Sequence, residues 1–126
     1  MIFKGDDGHI KLADFGLAKE GVDDGQTASS FCGSPAYLAP EVIKHKGMKI
    51  INIFPNNFFH SGSGKPADIY GIGTVLYEML VGSPPYYDEH IPTLYKNIQE
   101  GNLQFPACVS KNAENLIRVI FFRIIF

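Results

Sequence analysis

The chain lacks tryptophan, has few cysteines and contains no long apolar run, and each absence removes a class of protein. Its two cysteines, Cys32 and Cys108, give neither a metal-binding spacing nor a disulfide framework, which favours a reducing compartment. The most apolar stretch, 119–126, is far shorter than the ~20 residues needed to span a bilayer. No Lys/Arg run is present and the formal net charge is −2. The sequence therefore predicts no membrane partner and no nucleic-acid partner.

The remaining composition is that of a globular protein. The chain has 126 residues, of which 45% are hydrophobic and 19% charged, and this length fits one ordinary domain. The first residues include no basic segment followed by a long apolar core, so no signal peptide is expected. We expect a cytoplasmic protein, with the nucleus as the alternative.

Apolar patterning predicts a small β-hairpin followed by helices. Two short apolar runs, 2–3 and 10–12, flank the Asp/Gly turn 5–8, as in a hairpin. Residues 17–36 have the composition of a loop. The chain contains no internal repeat.

Four helices are expected. A short one begins at Pro40 and ends near Gly47, and a third and fourth run over 92–100 and onward from the N-cap residue Ser110. The second, 69–81, has the strongest helical periodicity and is predicted to be a buried central helix. The apolar residues at helical spacing are Ile69, Ile72, Val75, Leu76, Met79 and Leu80, and Tyr70 and Tyr77 extend the apolar surface around the helix.

Two short motifs stand at an informative distance from each other. Asp14-Phe15-Gly16 directly follows the second strand of the predicted hairpin, and Ala39-Pro40-Glu41 lies about two dozen residues later. Alone, Asp14 would be read as a turn-forming residue after a strand. Together, the two motifs closely resemble the signature of the eukaryotic protein kinases.

The resemblance extends along the chain in the same order. Residues 31–41 resemble the end of an activation segment of an AGC-like Ser/Thr kinase. Residues 68–73 resemble the start of the kinase central helix, with Tyr70 where many members have Trp. The segments 82–87 and 103–106 follow as they do in the family. The resemblance covers roughly 1–47 and 64–117.

The resemblance implies ATP-dependent phosphorylation of Ser or Thr in a protein substrate. ATP and Mg²⁺ would be the cofactors, with Asp14 as the metal ligand and Asp14, Phe15 and Gly16 as the cofactor-binding segment. The expected fold is mainly α: a partial protein-kinase C-lobe with a small β-hairpin and without the N-lobe.

The same resemblance assigns the segment before Ala39. Ser30 stands at the position of the activating phosphosite, so an upstream activating kinase is an expected partner. For Thr27 and Ser29, a phosphosite and a solvated loop residue are equal alternatives. Ser34 and Pro35 would position the substrate. Ala36 replaces a Glu common in AGC members, so a preference for basic substrates is not carried over.

Four further residues are expected to be structural: Ala39, Pro40, Glu41 and Asp68. In kinases, Glu41 would pair with an Arg late in the C-lobe and Asp68 with the backbone of the catalytic loop. Both partners, and the second wall of the site around Asp14, are expected outside this chain. A buried carboxylate left unpaired costs several kcal/mol.

No catalytic residue is expected within the chain, because the Gly-rich loop, the strand Lys and the catalytic base would precede Met1. We therefore expect the chain to be inactive by itself. The alternative is a noncatalytic kinase-like module that docks partners through residues 92–101 or through an apolar insert.

Two stretches depart from the kinase pattern: the insert 48–63 and the tail 118–126. Both are rich in residues with AT-rich codons. We interpret them as translated intron or misframed sequence, and hence the chain as a mispredicted gene product in part. The alternative is a genuine apolar insert that packs on the lobe or binds a partner, and the mature transcript would decide between the two.

Overall fold

A computed structural model describes residues 2–18, 20, 33–44 and 65–125. Within these ranges the chain is mainly α, with one small hairpin, as predicted. The insert 48–63 and the predicted end of the first helix near Gly47 lie outside the described residues. The elements are β1 (Ile2–Lys4), β2 (Ile10–Leu12), a 3₁₀ helix (Pro35–Tyr37), α1 (Pro40–Lys44), α2 (Lys65–Val81), α3 (Ile91–Glu100) and α4 (Lys111–Ile125).

The hairpin forms where the sequence predicts it. Its antiparallel strands pair Ile2 with Leu12 and Lys4 with Ile10. The connecting turn is closed by Gly5, whose N–H donates to the carbonyl of His9 at 2.8 Å. Gly8 has φ 82°, a left-handed conformation that glycine adopts without steric cost. The second strand ends at Leu12, opposite Ile2, and so places the end of the hairpin two residues before Asp14.

Helix α2 is the axis on which the other elements pack. Its buried face consists of Tyr70, Gly73, Thr74 and Tyr77, which recur at i, i+3, i+4 and i+7. Helix α4 crosses this face, and the Phe121 ring meets the Tyr70 ring edge to face at 4.6 Å between centroids. The buried Thr74 hydroxyl donates to the Tyr70 carbonyl at 3.1 Å, so its polar group is satisfied within the helix.

Only part of the apolar surface predicted for α2 is buried: Tyr70 and Tyr77 lie in the core, whereas several of its aliphatic residues do not. Ile72 is 59% exposed and Met79 72% exposed, and Ile69 and Leu80 are also exposed. The helix carries apolar side chains around most of its circumference, so periodicity alone could not identify the packed side. The structure buries the face that contains Gly73, because a residue without a side chain allows the closest approach of a second helix.

Helix α4 begins at the predicted N-cap and extends beyond Ile117, where the expected resemblance to kinases ends. The Ser110 hydroxyl accepts a hydrogen bond from the Ala113 N–H at 3.3 Å, which is the expected N-cap geometry. The helix continues without a break past Ile117 to Ile125. Phe121, within the stretch predicted to be atypical, is only 3% exposed. This part of the tail therefore contributes to the core.

Helix α3 ends at residue 100, as predicted, and packs into the core. Leu94 and Ile98 are both buried, together with Tyr95. Gly101 follows the helix at φ 66° and its N–H donates to the Asn97 carbonyl at 3.1 Å. A left-handed glycine in this position is a common way to end a helix.

A side chain of α4 holds the segment after α3. The Arg118 guanidinium donates to the Leu103 carbonyl at 3.3 Å and lies 5.0 Å from the Phe105 ring centroid. Glu114 accepts from Arg118 at 2.8 Å and also pairs with Lys111, and these contacts lower the pKa of Glu114. The segment is thereby fixed against α4. Among the described residues, no helix is long and apolar enough to cross a membrane.

The close approach of the two helices predicts opposite effects for alanine at two neighbouring glycines of α2. A Cβ on Gly73 would lie 2.8 Å from Ile120 Cγ2 and 3.2 Å from Phe121 Cε2, whereas a Cβ on Gly71 would meet nothing within 4 Å. Gly73→Ala should lower the free energy of unfolding by about 1–3 kcal/mol through overpacking. Gly71→Ala should raise it by up to about 1 kcal/mol through helix propensity. Chemical denaturation measures both, and equal effects would contradict this packing.

Candidate functional site

Asp14 lies at the junction between strand β2 and the loop that follows. Ala13 separates it from the end of the strand at Leu12. Asp14 has φ 66°, a left-handed conformation that is uncommon for residues other than glycine but tolerated by Asp. The next turn is closed by the Ala18 N–H, which donates to the Phe15 carbonyl at 2.9 Å. The backbone therefore turns sharply at the residue that the motif assigns to metal binding.

The surroundings of Asp14 are open to solvent. Its side chain is exposed, and so is the adjacent Phe15, at 67%. Ile10 and Leu12 on strand β2 are also exposed. Among the described residues, the carboxylate thus stands beside an uncovered apolar surface of the hairpin.

One exposed carboxylate fits magnesium as one ligand among several. Mg²⁺ prefers oxygen ligands, keeps several waters and is commonly held by one or two carboxylates together with substrate phosphates. Within the described ranges, no three His, Cys, Asp or Glu side chains come together in a way that could hold a metal. Asp14 would therefore hold the ion together with nucleotide phosphate and water oxygens.

The Ala39-Pro40-Glu41 motif lies in the packed body of the structure. Ala39 is 1% exposed and belongs to the same core cluster as Tyr70 of α2 and Leu94 of α3. Helix α1 starts at Pro40, as predicted, and the Ile43 N–H donates to the Ala39 carbonyl at 3.2 Å. Burial of the alanine and proline anchors the end of the predicted activation segment.

The residues immediately before this motif form a short 3₁₀ turn. Ser34 is exposed and extended, and its carbonyl accepts from the Tyr37 N–H at 3.0 Å. Pro35 opens the turn and is half-buried. Ser34 therefore presents its hydroxyl on the surface while the chain behind it is fixed to the core.

A hydrogen bond across the fold joins this segment to helix α2. The Tyr37 hydroxyl donates to Glu78 Oε2 at 2.5 Å. The hydrogen bond to Glu78 is the main cause that raises the pKa of Tyr37 above its ordinary value of 10.0, and burial and the carboxylate charge add to it. Sequence reasoning missed this pair. The available signal was that Glu78 is the only charge in 69–81.

The other predicted site residues are spread over the surface and the core. Asp68 lies in the first turn of α2 and is exposed, and Glu41 is half-buried in the first turn of α1. Ser30 lies outside the described residues. The expected cost of burying unpaired carboxylates does not arise for Asp14 and Asp68, because both side chains are solvated.

The structure thus brings only part of the predicted site together. Among the described elements, the 3₁₀ helix packs on α2 and α3, and α1 packs on α3, so the segment 34–41 is built into the helical body. The hairpin that carries Asp14 forms its main contacts between its own two strands. Metal-binding and substrate-positioning candidates therefore lie on separate parts of the described structure.

Comparison with known families decides what these motifs belong to. Residues 1–122 match the family model of the protein kinase domain. The chain belongs to the protein kinase domain family. The match includes residues 118–122, where α4 continues past the boundary expected at Ile117.

Individual relatives are Ser/Thr kinases. The chain is 40% identical to human RAC-beta serine/threonine-protein kinase over 111 residues, which is 88% of this chain and 20% of that protein. The rat protein of the same name and the Xenopus laevis RAC-beta serine/threonine-protein kinase A are each 39% identical over the same shares. The chain spans about a fifth of the length of these relatives. The resemblance to AGC-like Ser/Thr kinases is confirmed.

Tyr37→Phe tests the hydrogen bond between the 3₁₀ turn and α2. The change should lower the free energy of unfolding by about 1 kcal/mol at neutral pH, because a half-buried carboxylate loses its donor. Tyr37 has a raised pKa in the folded state, so its contribution is complete below pH 10.0 and is lost as pH rises through the folded-state value. The difference from wild type should therefore shrink in alkaline solution.

Urea denaturation between pH 7 and 11 measures this difference. Tyr87→Phe is the matched control, since Tyr87 is exposed and has no hydrogen-bond partner among the described residues. A Tyr37→Phe penalty no larger than that of Tyr87→Phe, or one that grows with pH, would contradict the role of this pair.

Proposed function

We propose that the chain is part of an ATP-dependent protein Ser/Thr kinase and contributes its metal-binding and substrate-positioning segments. The proposal rests on the exposed Asp14 carboxylate at the strand–loop junction, within an Asp-Phe-Gly motif and in a chain of the protein kinase domain family. The similar proteins are serine/threonine-protein kinases, which supports Ser and Thr as acceptors. The whole enzyme would use a catalytic base supplied from outside these 126 residues.

Asp14 would hold Mg²⁺ against the phosphates of ATP, with Phe15 and Gly16 shaping the backbone around it. Bound Mg²⁺ would neutralise charge that develops on the transferred phosphoryl group. Phosphoryl transfer depends mainly on positioning and on charge stabilisation. The role of Asp14 would therefore be to hold its carboxylate in a defined position. The turn at φ 66° fixes the direction in which Asp14 leaves the hairpin.

The segment before α1 would be the regulated substrate platform. Ser34 and Pro35 would face the acceptor residue of a protein substrate, because they lie on a turn anchored by Tyr37 and Ala39. Ser30 would accept the activating phosphate from an upstream kinase. A phosphate there adds about −1.5 to −2 charge and would order the loop through an Arg partner.

Ala39, Pro40, Glu41 and Asp68 would act through structure. Burial of Ala39 and Pro40 holds the end of the platform on the core. We place the kinase-like sequence at 1–47 and 64–117, with 48–63 as the atypical insert and 118–126 as the atypical tail. We place the protein in the cytoplasm or nucleus. We propose protein substrates as its partners and neither nucleic acid nor membrane.

Asp14→Asn in the full-length protein tests the metal-binding role. Loss of the negative charge should lower kcat by roughly 10²–10³-fold or more, since one preorganised charge contact at the transferred group is worth several kcal/mol. Asp6→Asn is the matched control, because Asp6 is also an exposed aspartate of the hairpin but lies in its turn. The measurement is phosphate transfer from labelled ATP to a Ser/Thr peptide at saturating Mg²⁺. Equal activities of the two variants would rule out this role for Asp14.

The 126 residues by themselves should transfer no phosphate. They contain no Gly-rich loop, no strand Lys motif and no His-Arg-Asp motif, and phosphate-clamping and base functions in kinases reside in those motifs. The purified segment is assayed beside its Asp14→Ala variant. Transfer by the segment that disappears in the variant would contradict this proposal.

A further inference from the structure

The six tyrosines, all within the described residues, fall into two groups. Tyr70, Tyr77 and Tyr95 are buried, and the Tyr77 hydroxyl donates to the Gln104 carbonyl at 2.7 Å. Tyr37 is half-buried and donates to Glu78. Tyr87 alone is exposed, at 60%, and its hydroxyl has no hydrogen-bond partner among the described residues.

The adjacent Tyr86 has the opposite environment. It is half-buried, and its ring meets the Phe121 ring edge to face at 6.3 Å between centroids. Burial raises the pKa of Tyr86 to about 12, although the charge of Arg118 partly opposes the shift. Tyr86 and Tyr87 thus share nearly the same sequence context but differ in exposure. Tyr86 is therefore a natural control for any reaction that requires an exposed tyrosine.

The turn that carries Tyr87 is anchored on both sides. Pro85 is buried before it, and Tyr86 holds a left-handed backbone at φ 63°. After it, the Asp88 carboxylate accepts from the His90 N–H at 2.8 Å, and the His90 ring contacts the Thr93 hydroxyl at 3.0 Å at the start of α3. Tyr87 therefore projects from a fixed turn and needs no unfolding to reach a partner.

The charged residues that directly follow Tyr87 in the sequence are both negative. Asp88 and Glu89 follow it directly, and His90 is the nearest group in sequence that could carry a positive charge. An acidic acceptor segment complements an enzyme with a basic substrate groove. Phosphate on Tyr87 would add about −1.5 to −2 charge to these two carboxylates, and such a segment is the type of ligand that Arg clusters bind.

We propose that Tyr87 is a phosphorylation site for a tyrosine kinase that selects acidic substrates. In the reaction, the phenolic oxygen of Tyr87 forms a bond to the γ-phosphorus of ATP and the bond to the bridging oxygen breaks. ADP leaves, and the phenolic proton passes to the base of the modifying kinase. The inference rests on the accessibility and charge of the turn and is independent of the kinase activity proposed for this protein.

The test uses full-length protein in two arms. In the first, protein isolated from its own cells after vanadate treatment is mapped by mass spectrometry that distinguishes Tyr86 from Tyr87. In the second, recombinant protein is incubated with labelled ATP and a purified tyrosine kinase that prefers acidic peptides. We expect phosphate on Tyr87 in both arms and at least ~10-fold more on Tyr87 than on Tyr86, because Tyr87 is exposed in the folded state whereas Tyr86 is half-buried and packed on Phe121.

Two variants complete the experiment. Tyr87→Phe should abolish most of the labelling, and Tyr86→Phe should leave labelling at Tyr87 unchanged. Thermal unfolding should show that Tyr87→Phe folds like wild type, since the lost hydroxyl has no hydrogen bond within the described residues. Unmodified Tyr87 in cells, or equal phosphate on Tyr86 and Tyr87 in vitro, overturns the proposal.

Discussion

The absence of a side chain at Gly73 is the constraint on which the described fold depends. It lets α4 cross α2 closely enough for Ile120 and Phe121 to occupy the space that a Cβ would need. That contact fixes the buried side of α2 and places the Phe121 ring against Tyr70. It also sets the position of α4, from which Arg118 reaches the carbonyl of Leu103. The packing of α4 against α2 therefore also determines where the segment after α3 lies.

Helix α2 connects this packing to the candidate site. Glu78 of this helix accepts a hydrogen bond from the Tyr37 hydroxyl and so holds the end of the predicted activation segment. Asp14 stands apart from this body on a hairpin whose apolar surface is exposed in the described structure. The two halves of the proposed site thus differ physically. Ser34 is placed by a packed core, whereas Asp14 is placed by a hairpin turn and a left-handed backbone.

Local signals in the sequence predicted much of the fold because the relevant interactions are local. The cap at Ser110, the helix end at Gly101 and the hairpin turn each involve residues within a few positions of one another. The buried face of α2 could not be predicted in this way. It is selected by which partner helix packs on it, and an apolar surface around most of the cylinder leaves periodicity ambiguous.

The same distinction holds for the candidate site. The two short motifs located Asp14 and Ala39 because their residue order carries the family resemblance. The bond between Tyr37 and Glu78 joins residues 41 positions apart, and no local pattern predicts it. Solvation of Asp14 and Asp68 was also unpredictable, since it depends on which elements surround each carboxylate. The burial of Phe121 was not predicted either, because it depends on the contact between α4 and Gly73 of α2 and not on a local pattern in the tail.

The central claim is that Asp14 holds magnesium in a kinase site, and a structure of the full-length protein with Mg²⁺ and a non-hydrolysable ATP analogue tests it most directly. The account predicts a carboxylate oxygen of Asp14 at about 2.0–2.1 Å from a Mg²⁺ that also contacts nucleotide phosphates. A metal–nucleotide complex bound without Asp14 in its coordination sphere would contradict it.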